Sequence, residues 1–296
     1  MQQRSVGKYI WEIFSPLLLH MVVSFVVEMI LILVYYMQHT PELLTLLESD
    51  KEVTEQILEM AYSVYQYAVE ITAIAALVTI PFLVWMTRKD LKKERAAGII
   101  PNKKAPMSKY ILVVGISIPF SLGLNNILTL SNLAAYSEAY QEAAEALYAP
   151  SLPVQIVCVG VIIPIMEEYI FRGVIYKRMR RYVTAKRAIV SSAIFFGIYH
   201  GNTVQMIYGA LCGLLLAYLY EKFGSIKAPI LAHMLMNIVA CLLTDVDGFT
   251  WMFSNPIRMA VITIGCAALA STVYLEIRKI EEQPELPEQP KMLQEY

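Results

Sequence analysis

Apolar stretches long enough to cross a lipid bilayer recur along this chain of 296 residues. A transmembrane helix needs about 20 apolar residues to cross a hydrocarbon core of about 30 Å. With 57% hydrophobic residues and a mean hydropathy of +0.52, the chain has too little polar surface for a soluble domain of this size. The sequence therefore predicts an all-α, polytopic membrane bundle of about eight transmembrane helices. The predicted spans are residues 10–37, 61–87, 108–133, 151–175, 186–201, 204–222, 227–244 and 256–276.

The fifth predicted span is short, so it could be tilted within protein instead of facing lipid. No second soluble domain or internal repeat is evident, and residues 1–280 are predicted to form a single integral membrane domain. The first apolar run is too long for a cleavable signal and is expected to stay as a helix. The polar, proline-rich residues 281–296 are expected to be disordered. The four cysteines lie inside predicted spans without CxxC spacing, which is typical of small buried apolar residues.

The charged segments between the spans differ in sign. Residues 88–104 and 176–187 are basic, whereas residues 41–56 and 136–148 are acidic. Because cytoplasmic loops of membrane proteins carry an excess of Lys and Arg, we expect the basic pair on the cytoplasmic side, and both termini with it. The basic loops are expected to contact anionic lipid headgroups, and no motif for nucleic-acid binding accompanies them.

Three full charges occur near the end of the fourth predicted span, in the sequence PIMEEYIFRG. Pro164 can interrupt the helix and free backbone groups, which must then find partners in protein or water. Glu168 and Arg172 are four residues apart and share a helical face, so Arg172 can neutralise Glu168. Glu167 points about 100° away and needs a partner from another helix. Alternatively, both glutamates lie at the membrane interface and reach water.

Two of the four histidines lie in later predicted spans, and one of them has a polar neighbour on the same helical face. His200 ends the sequence FFGIYH, and His233 precedes Asn237 by four residues. Each group alone is typical of a hydrogen-bonded contact between helices. Glu167 and His233 each lie near 10 Å from the basic end of their span, so these groups could converge in a cavity that opens toward the cytoplasm.

The three motifs EExxxR, FxxxH and HxxxN occur in the order and spacing of the CPBP family, the CAAX protease and bacteriocin-processing proteins, also called the Abi family. The chain resembles this family over about 80 residues, from Glu167 to Asn237, and the resemblance places a catalytic core at about residues 151–245. It implies an intramembrane endopeptidase of the glutamate type that needs no cofactor. Phe196, which begins FxxxH, is expected to pack rather than to take part in chemistry.

The resemblance also implies a role for each polar residue. Glu167 and His200 would activate a water molecule, and His233 and Asn237 would bind the tetrahedral oxyanion. The pair Glu168 and Arg172 would be a structural ion pair. The implied substrate is a polypeptide, which could carry a lipid. A bacterial cytoplasmic membrane is the expected setting, because nothing in the sequence suggests sorting to an organelle.

Two alternatives stay open at this point. Two His and one Glu can hold a catalytic zinc ion, although the HExxH motif is absent and Glu167 as a ligand would leave no separate base. A nonenzymatic bacteriocin-immunity or scaffold protein could also retain the motifs for structural reasons. Four more polar residues lie within predicted spans. They could line the same cavity, but packing toward the bundle interior is the expected role: Glu28, Glu70, Asn125 and Asn126. The GxxxG pattern of residues 209–213 predicts a close approach between helices.

Overall fold

The structure is a computed structural model that describes residues 6–41, 44, 53–133 and 135–281. These residues form helices and no strands, and seven of the helices are long and apolar enough to cross a membrane. The prediction of an all-α polytopic bundle is thus confirmed. The predicted tail, apart from residue 281, lies outside the described residues. The helices are α1 (Val6–Gln38), α2 (Val53–Tyr65), α3 (Ala68–Ala96), α4 (Tyr110–Leu130), α5 (Glu138–Tyr148), α6 (Leu152–Met179), α7 (Ala185–Tyr199), α8 (Thr203–Phe223), α9 (Lys227–Asp245), α10 (Gly248–Phe253) and α11 (Pro256–Arg278).

The fifth predicted span corresponds to α7, which has 15 residues and is too short to cross a bilayer. At 1.5 Å per residue it is about 22 Å long, against about 30 Å of hydrocarbon. One face of α7 is exposed along Val190, Ile194 and Ile198, so this helix is not enclosed by protein on all sides.

Helices α7 and α8 form a close hairpin because small residues line the contact between them. A Cβ atom on Gly197 would lie 2.4 Å from the carbonyl oxygen of Met206, and one on Gly213 would lie 3.0 Å from the Cα of Ala193. The turn between the two helices contains Gly201, whose φ of +79° is in the left-handed region that favours glycine. The close approach predicted from GxxxG is present here.

Helix α1 begins at the same end of the bundle at which helix α11 finishes. Arg178, at the end of α6, donates to the hydroxyl of Ser15 in α1 over 3.0 Å and pairs with Asp90 in α3 over 2.6 Å. Lys222, at the end of α8, lies 3.4 Å from the carbonyl oxygen of Arg278 in α11. Both predicted basic segments lie at this end, because residues 88–104 and 176–187 include the ends of α3 and α6 and the chain that follows them. We call it the basic end.

Candidate active site

Helix α6 carries the charged motif and departs twice from regular α-helical geometry. Two π-helical segments, Cys158–Ile162 and Tyr169–Tyr176, lie on either side of the α-helical turn Ile163–Glu168. A π-helical segment inserts extra residues into the helix and frees backbone groups, and such segments are frequent at functional sites. The two glutamates therefore lie on a short regular turn between two widened ones.

Pro164 leaves one backbone carbonyl in α6 open to another helix. The N–H group of Ile163 donates to the carbonyl of Cys158, five residues back, and the next residue, Pro164, has no N–H group for the carbonyl of Val159. That carbonyl instead accepts a hydrogen bond of 2.9 Å from Nδ2 of Asn237 in α9. The freed backbone group expected from the sequence thus has a partner, and this partner is one of the motif residues.

Glu168 is the centre of a fully buried polar cluster. Its Oε1 atom accepts from Nη1 of Arg172 over 2.7 Å and from Nδ1 of His233 over 2.9 Å. Arg172 also donates from Nη2 to the carbonyl of Gly213 over 3.0 Å, and its guanidinium lies 4.6 Å from the ring centre of Phe196. Glu168 and Arg172 both have 0% exposure, so the protein alone must stabilise their charges.

His233 lies between the two glutamates. An ionised Glu168 can only accept hydrogen bonds, so the proton on this side of the imidazole is on Nδ1. The other ring nitrogen, Nε2, lies 3.6 Å from Oε2 of Glu167, whose side chain is 9% exposed. If the imidazole is protonated, the two carboxylates, the guanidinium and the imidazolium balance in charge. His233 is therefore the partner from another helix that Glu167 required.

His200 reaches the site from the end of α7. Its Nδ1 donates to the carbonyl of Phe196 over 2.7 Å, so a neutral ring carries its lone pair on Nε2. Gly209 leaves room for this ring, because a Cβ atom there would lie 3.2 Å from Nδ1 of His200. The ring of Phe196 contacts His200 and His233 edge to face, at centroid distances of 4.8 and 5.6 Å. Phe196 thus separates the two imidazoles and also stacks on Arg172.

The structure brings four of the predicted site residues into one contacting group: Glu167, Glu168, Arg172 and His233. Asn237 lies one turn further along α9 and is bonded to α6, and His200 is joined to the group through Phe196. Within the described part of the chain, no three His, Cys, Asp or Glu side chains lie close enough together to hold a metal ion.

Sequence reasoning missed the contacts that converge from other helices. The bond between His233 and Glu168, the Gly213 carbonyl and the stacking of Arg172 on Phe196 depend on how helices pack. The signal for two of them was present, because Phe196 and Gly213 each belong to a recognised motif.

The other intramembrane polar residues lie apart from this cluster. Asn126 is fully buried and donates to the hydroxyl of Thr263 over 2.8 Å, which joins α4 to α11. Glu70 and Asn125 are half-buried, as expected for groups facing the bundle. Glu28 is exposed, so the expectation that it faces the interior is wrong. The two remaining histidines have other partners: His20 in α1 lies 3.2 Å from the hydroxyl of Thr79 in α3, and His39 lies 2.9 Å from the carbonyl of Tyr35.

The fold and the site define a class: multi-pass helical membrane proteins with a buried cluster of carboxylates and imidazoles. Residues 149–239 match the family model of the type II CAAX prenyl endopeptidases, described as Rce1-like. The protein named "Putative membrane peptidase YdiL" of Bacillus subtilis (strain 168) is 31% identical over 87 residues, which are 29% of this chain and 36% of that protein. The chain thus aligns with about a third of this relative's length, and no solved structure gives a significant match. Both findings support similarity of this chain to the CPBP/CAAX protease family, whose three motifs it also resembles in order and spacing.

Proposed function

We propose that this protein is an intramembrane endopeptidase that hydrolyses a peptide bond of a polypeptide substrate with a water molecule activated by Glu167 and His200. The observation that carries the proposal is the position of His233, which lies 2.9 Å from Glu168 and 3.6 Å from Glu167 inside a membrane bundle. Ionisable groups at such a depth are costly, and they are typical of functional sites. The similarity of residues 149–239 to CAAX endopeptidases supports the same reaction class.

In the proposed reaction Glu167 is the general base. It takes a proton from water as the water oxygen bonds to the scissile carbonyl carbon, and the carbonyl oxygen becomes an oxyanion. The carbon–nitrogen bond then breaks, and the proton held by Glu167 passes to the leaving amine. One water is consumed, and a carboxylic acid and an amine are formed, which exchange a proton to give a carboxylate and an ammonium. No covalent enzyme intermediate is needed.

The other site residues orient the water and stabilise the oxyanion. The lone pair on Nε2 of His200 can accept from the water, because Nδ1 donates to a backbone carbonyl. His233 can donate from Nε2 when its ring is protonated, since Nδ1 already donates to the Glu168 carboxylate. Asn237 uses one amide hydrogen on Val159 and keeps the second for the oxyanion. Glu168 and Arg172 act as the structural pair that holds His233.

Orientation and substrate follow from the depth of the site. His233 lies six residues from the start of α9 at the basic end, or about 9 Å, so the site is nearer to that end than to the other. With the basic end in the cytoplasm, a cytoplasmic segment of a polypeptide, with or without an attached lipid, could reach it. The bacterial cytoplasmic membrane is the expected location, with both ends of the described chain inside.

Two alternatives are decided by experiment. In a zinc-dependent peptidase, the metal would activate the water and Glu167 would be a ligand. In a nonenzymatic immunity or scaffold protein, the cluster would only join helices α6 and α9.

The test compares membrane peptides from cells that express the wild type, Glu167→Gln and Glu142→Gln. Glu142 is an exposed carboxylate on α5, so its replacement is a matched control. We expect cleavage products with wild type and Glu142→Gln that are absent with Glu167→Gln at equal membrane abundance. Identical peptides from all three strains would contradict the proposal and favour a nonenzymatic role.

A further inference from the structure

An isolated carboxylate lies on the outer surface of helix α1. Glu28 is exposed and makes no hydrogen bond or ion pair with any described residue. Its exposed neighbours on the helix are apolar: Met21, Phe25 and Met29 have exposures of 63, 64 and 52%. We call these four residues the Glu28 face.

The positions of aromatic residues place the Glu28 face, by inference, within the hydrocarbon region. Tyr and Trp are enriched at the two membrane interfaces. Tyr35 contacts Tyr67 at the start of α3, with ring centroids 6.1 Å apart, and Trp85 near the basic end of α3 lies under the Lys89 amine at 4.7 Å. From Tyr67 to Trp85 a helix rises about 27 Å, close to one hydrocarbon thickness. Glu28 precedes Tyr35 by seven residues and is about 10 Å inside that boundary.

A carboxylate at this depth needs a proton, water or a cation, because hydrocarbon offers none of them. Its helix cannot provide the cation, since α1 has no Lys or Arg after Lys8. A second copy of the chain packed in parallel through this face would bring Glu28 against Glu28, which are like charges. Charge complementarity therefore favours a different polypeptide whose transmembrane helix carries a basic side chain at the same depth.

We propose that the Glu28 face binds a transmembrane helix of another protein. This partner helix carries a Lys or Arg at the depth of Glu28, in the third of the membrane furthest from the basic end of the bundle. The two methionines suit this surface to helices of different shape, because Met side chains adapt to irregular partners. This binding is independent of the peptidase chemistry, because Glu28 does not contact the polar cluster of α6 and α9.

The test uses the purified full-length protein in lipid vesicles, with a fluorescent poly-leucine transmembrane peptide as the probe. A large polar tag at one end sets the peptide's orientation. One peptide carries a single Lys about 10 Å from the membrane surface opposite the basic end, a second carries it about 10 Å from the other surface, and a third carries Leu only. Energy transfer to labelled wild type, Glu28→Leu, Glu28→Gln and Glu142→Leu measures association.

We expect the first peptide to bind wild type and Glu142→Leu about tenfold more tightly than the other two peptides do, a scale that fits polar contacts between model membrane helices. Glu28→Leu should lose this preference entirely, and Glu28→Gln should lose most of it. Equal binding of all three peptides to wild type would overturn the proposal. A dimer of the wild type that Glu28→Leu abolishes would also overturn it, in favour of a second copy.

Discussion

Replacing Glu168 by Gln should destabilise the protein much more than the same change at Glu167. Glu168 and Arg172 are both fully buried, and their contact is 2.7 Å. The variant Glu168→Gln keeps the size of the side chain but leaves Arg172 as a buried cation without a carboxylate. It also removes the acceptor charge from His233, which lies 2.9 Å away.

The size of this effect follows from the contacts that stay in place. Removing one partner of a buried ion pair costs about 3 to 5 kcal/mol. Arg172 keeps its bond to the Gly213 carbonyl and its stacking on Phe196, and the introduced glutamine can still accept through its amide oxygen. We therefore expect the lower end, about 3 kcal/mol. On a scale of roughly 2 to 4 °C per kcal/mol, the Tm should fall by about 6 to 12 °C.

Glu167→Gln should behave differently because Glu167 is held only loosely. Its contact with Nε2 of His233 is 3.6 Å, longer than a hydrogen bond. Losing this charge removes a desolvation cost as well as a weak attraction, so the Tm should change by less than about 3 °C. Turnover should nevertheless be almost abolished, because the proposed base is gone.

The measurement is the Tm at one fixed scan rate in one detergent, with turnover from the same preparations. The double variant Glu168→Gln with Arg172→Met is the control, because it leaves no charge unpaired and should recover much of the lost stability. Equal destabilisation by the two single Glu replacements would refute this division of roles. So would full activity of Glu167→Gln.

Four further predictions concern single parts of the proposal. Asn237→Ala should lower turnover roughly a hundredfold and should also cost about 1 to 3 kcal/mol, because the Val159 carbonyl loses its donor. The change Pro164→Ala supplies a backbone N–H group to that carbonyl. In this background Asn237→Ala should therefore lower the stability measured by thermal melts by a smaller amount. An equal loss of stability in both backgrounds would mean that the bond to the Val159 carbonyl is not the source of the loss. His200→Ala should shift the pH profile of the remaining turnover, and a profile parallel to the wild type would argue against a role in water activation. Activity should survive a zinc chelator, whereas loss on chelation with recovery on adding zinc would establish the metal mechanism. Cysteines introduced in residues 88–104 should react with reagents only from the cytoplasmic side, and labelling from outside would reverse the proposed orientation.

Most of the membrane architecture could be predicted from local sequence, because a span is a property of one continuous apolar stretch. The exception is α7, where residues 186–201 are apolar enough to suggest a span but the helix has 15 residues. The helix ends before the turn at Gly201 and packs closely on α8, where Gly197 and Gly213 allow the backbones to approach. A hydropathy pattern contains no information about such a partner.

The candidate site was predictable in composition and only partly in geometry. Helical spacing is enough to bring Glu168 and Arg172 together, since residues four apart share a face. The position of His233 between Glu167 and Glu168 could not be read from spacing, because it depends on the rotation of α9 against α6. The two π-helical segments matter here, since each changes which face of α6 the following residues occupy.

The two neighbouring glutamates differ because the polar network forms hydrogen bonds with only one of them among the described residues. Glu168 has a guanidinium and an imidazole at hydrogen-bonding distance, which holds its charge in a region without water. Among the described residues, Glu167 has only the far side of the same imidazole, at a longer distance, and so keeps an open lone pair for a proton. A base must be accessible to its substrate and cannot be fully bonded in the resting state. In the proposed mechanism Glu168 neutralises Arg172 and orients His233. The imidazole then faces Glu167 and leaves that carboxylate free to act as the base.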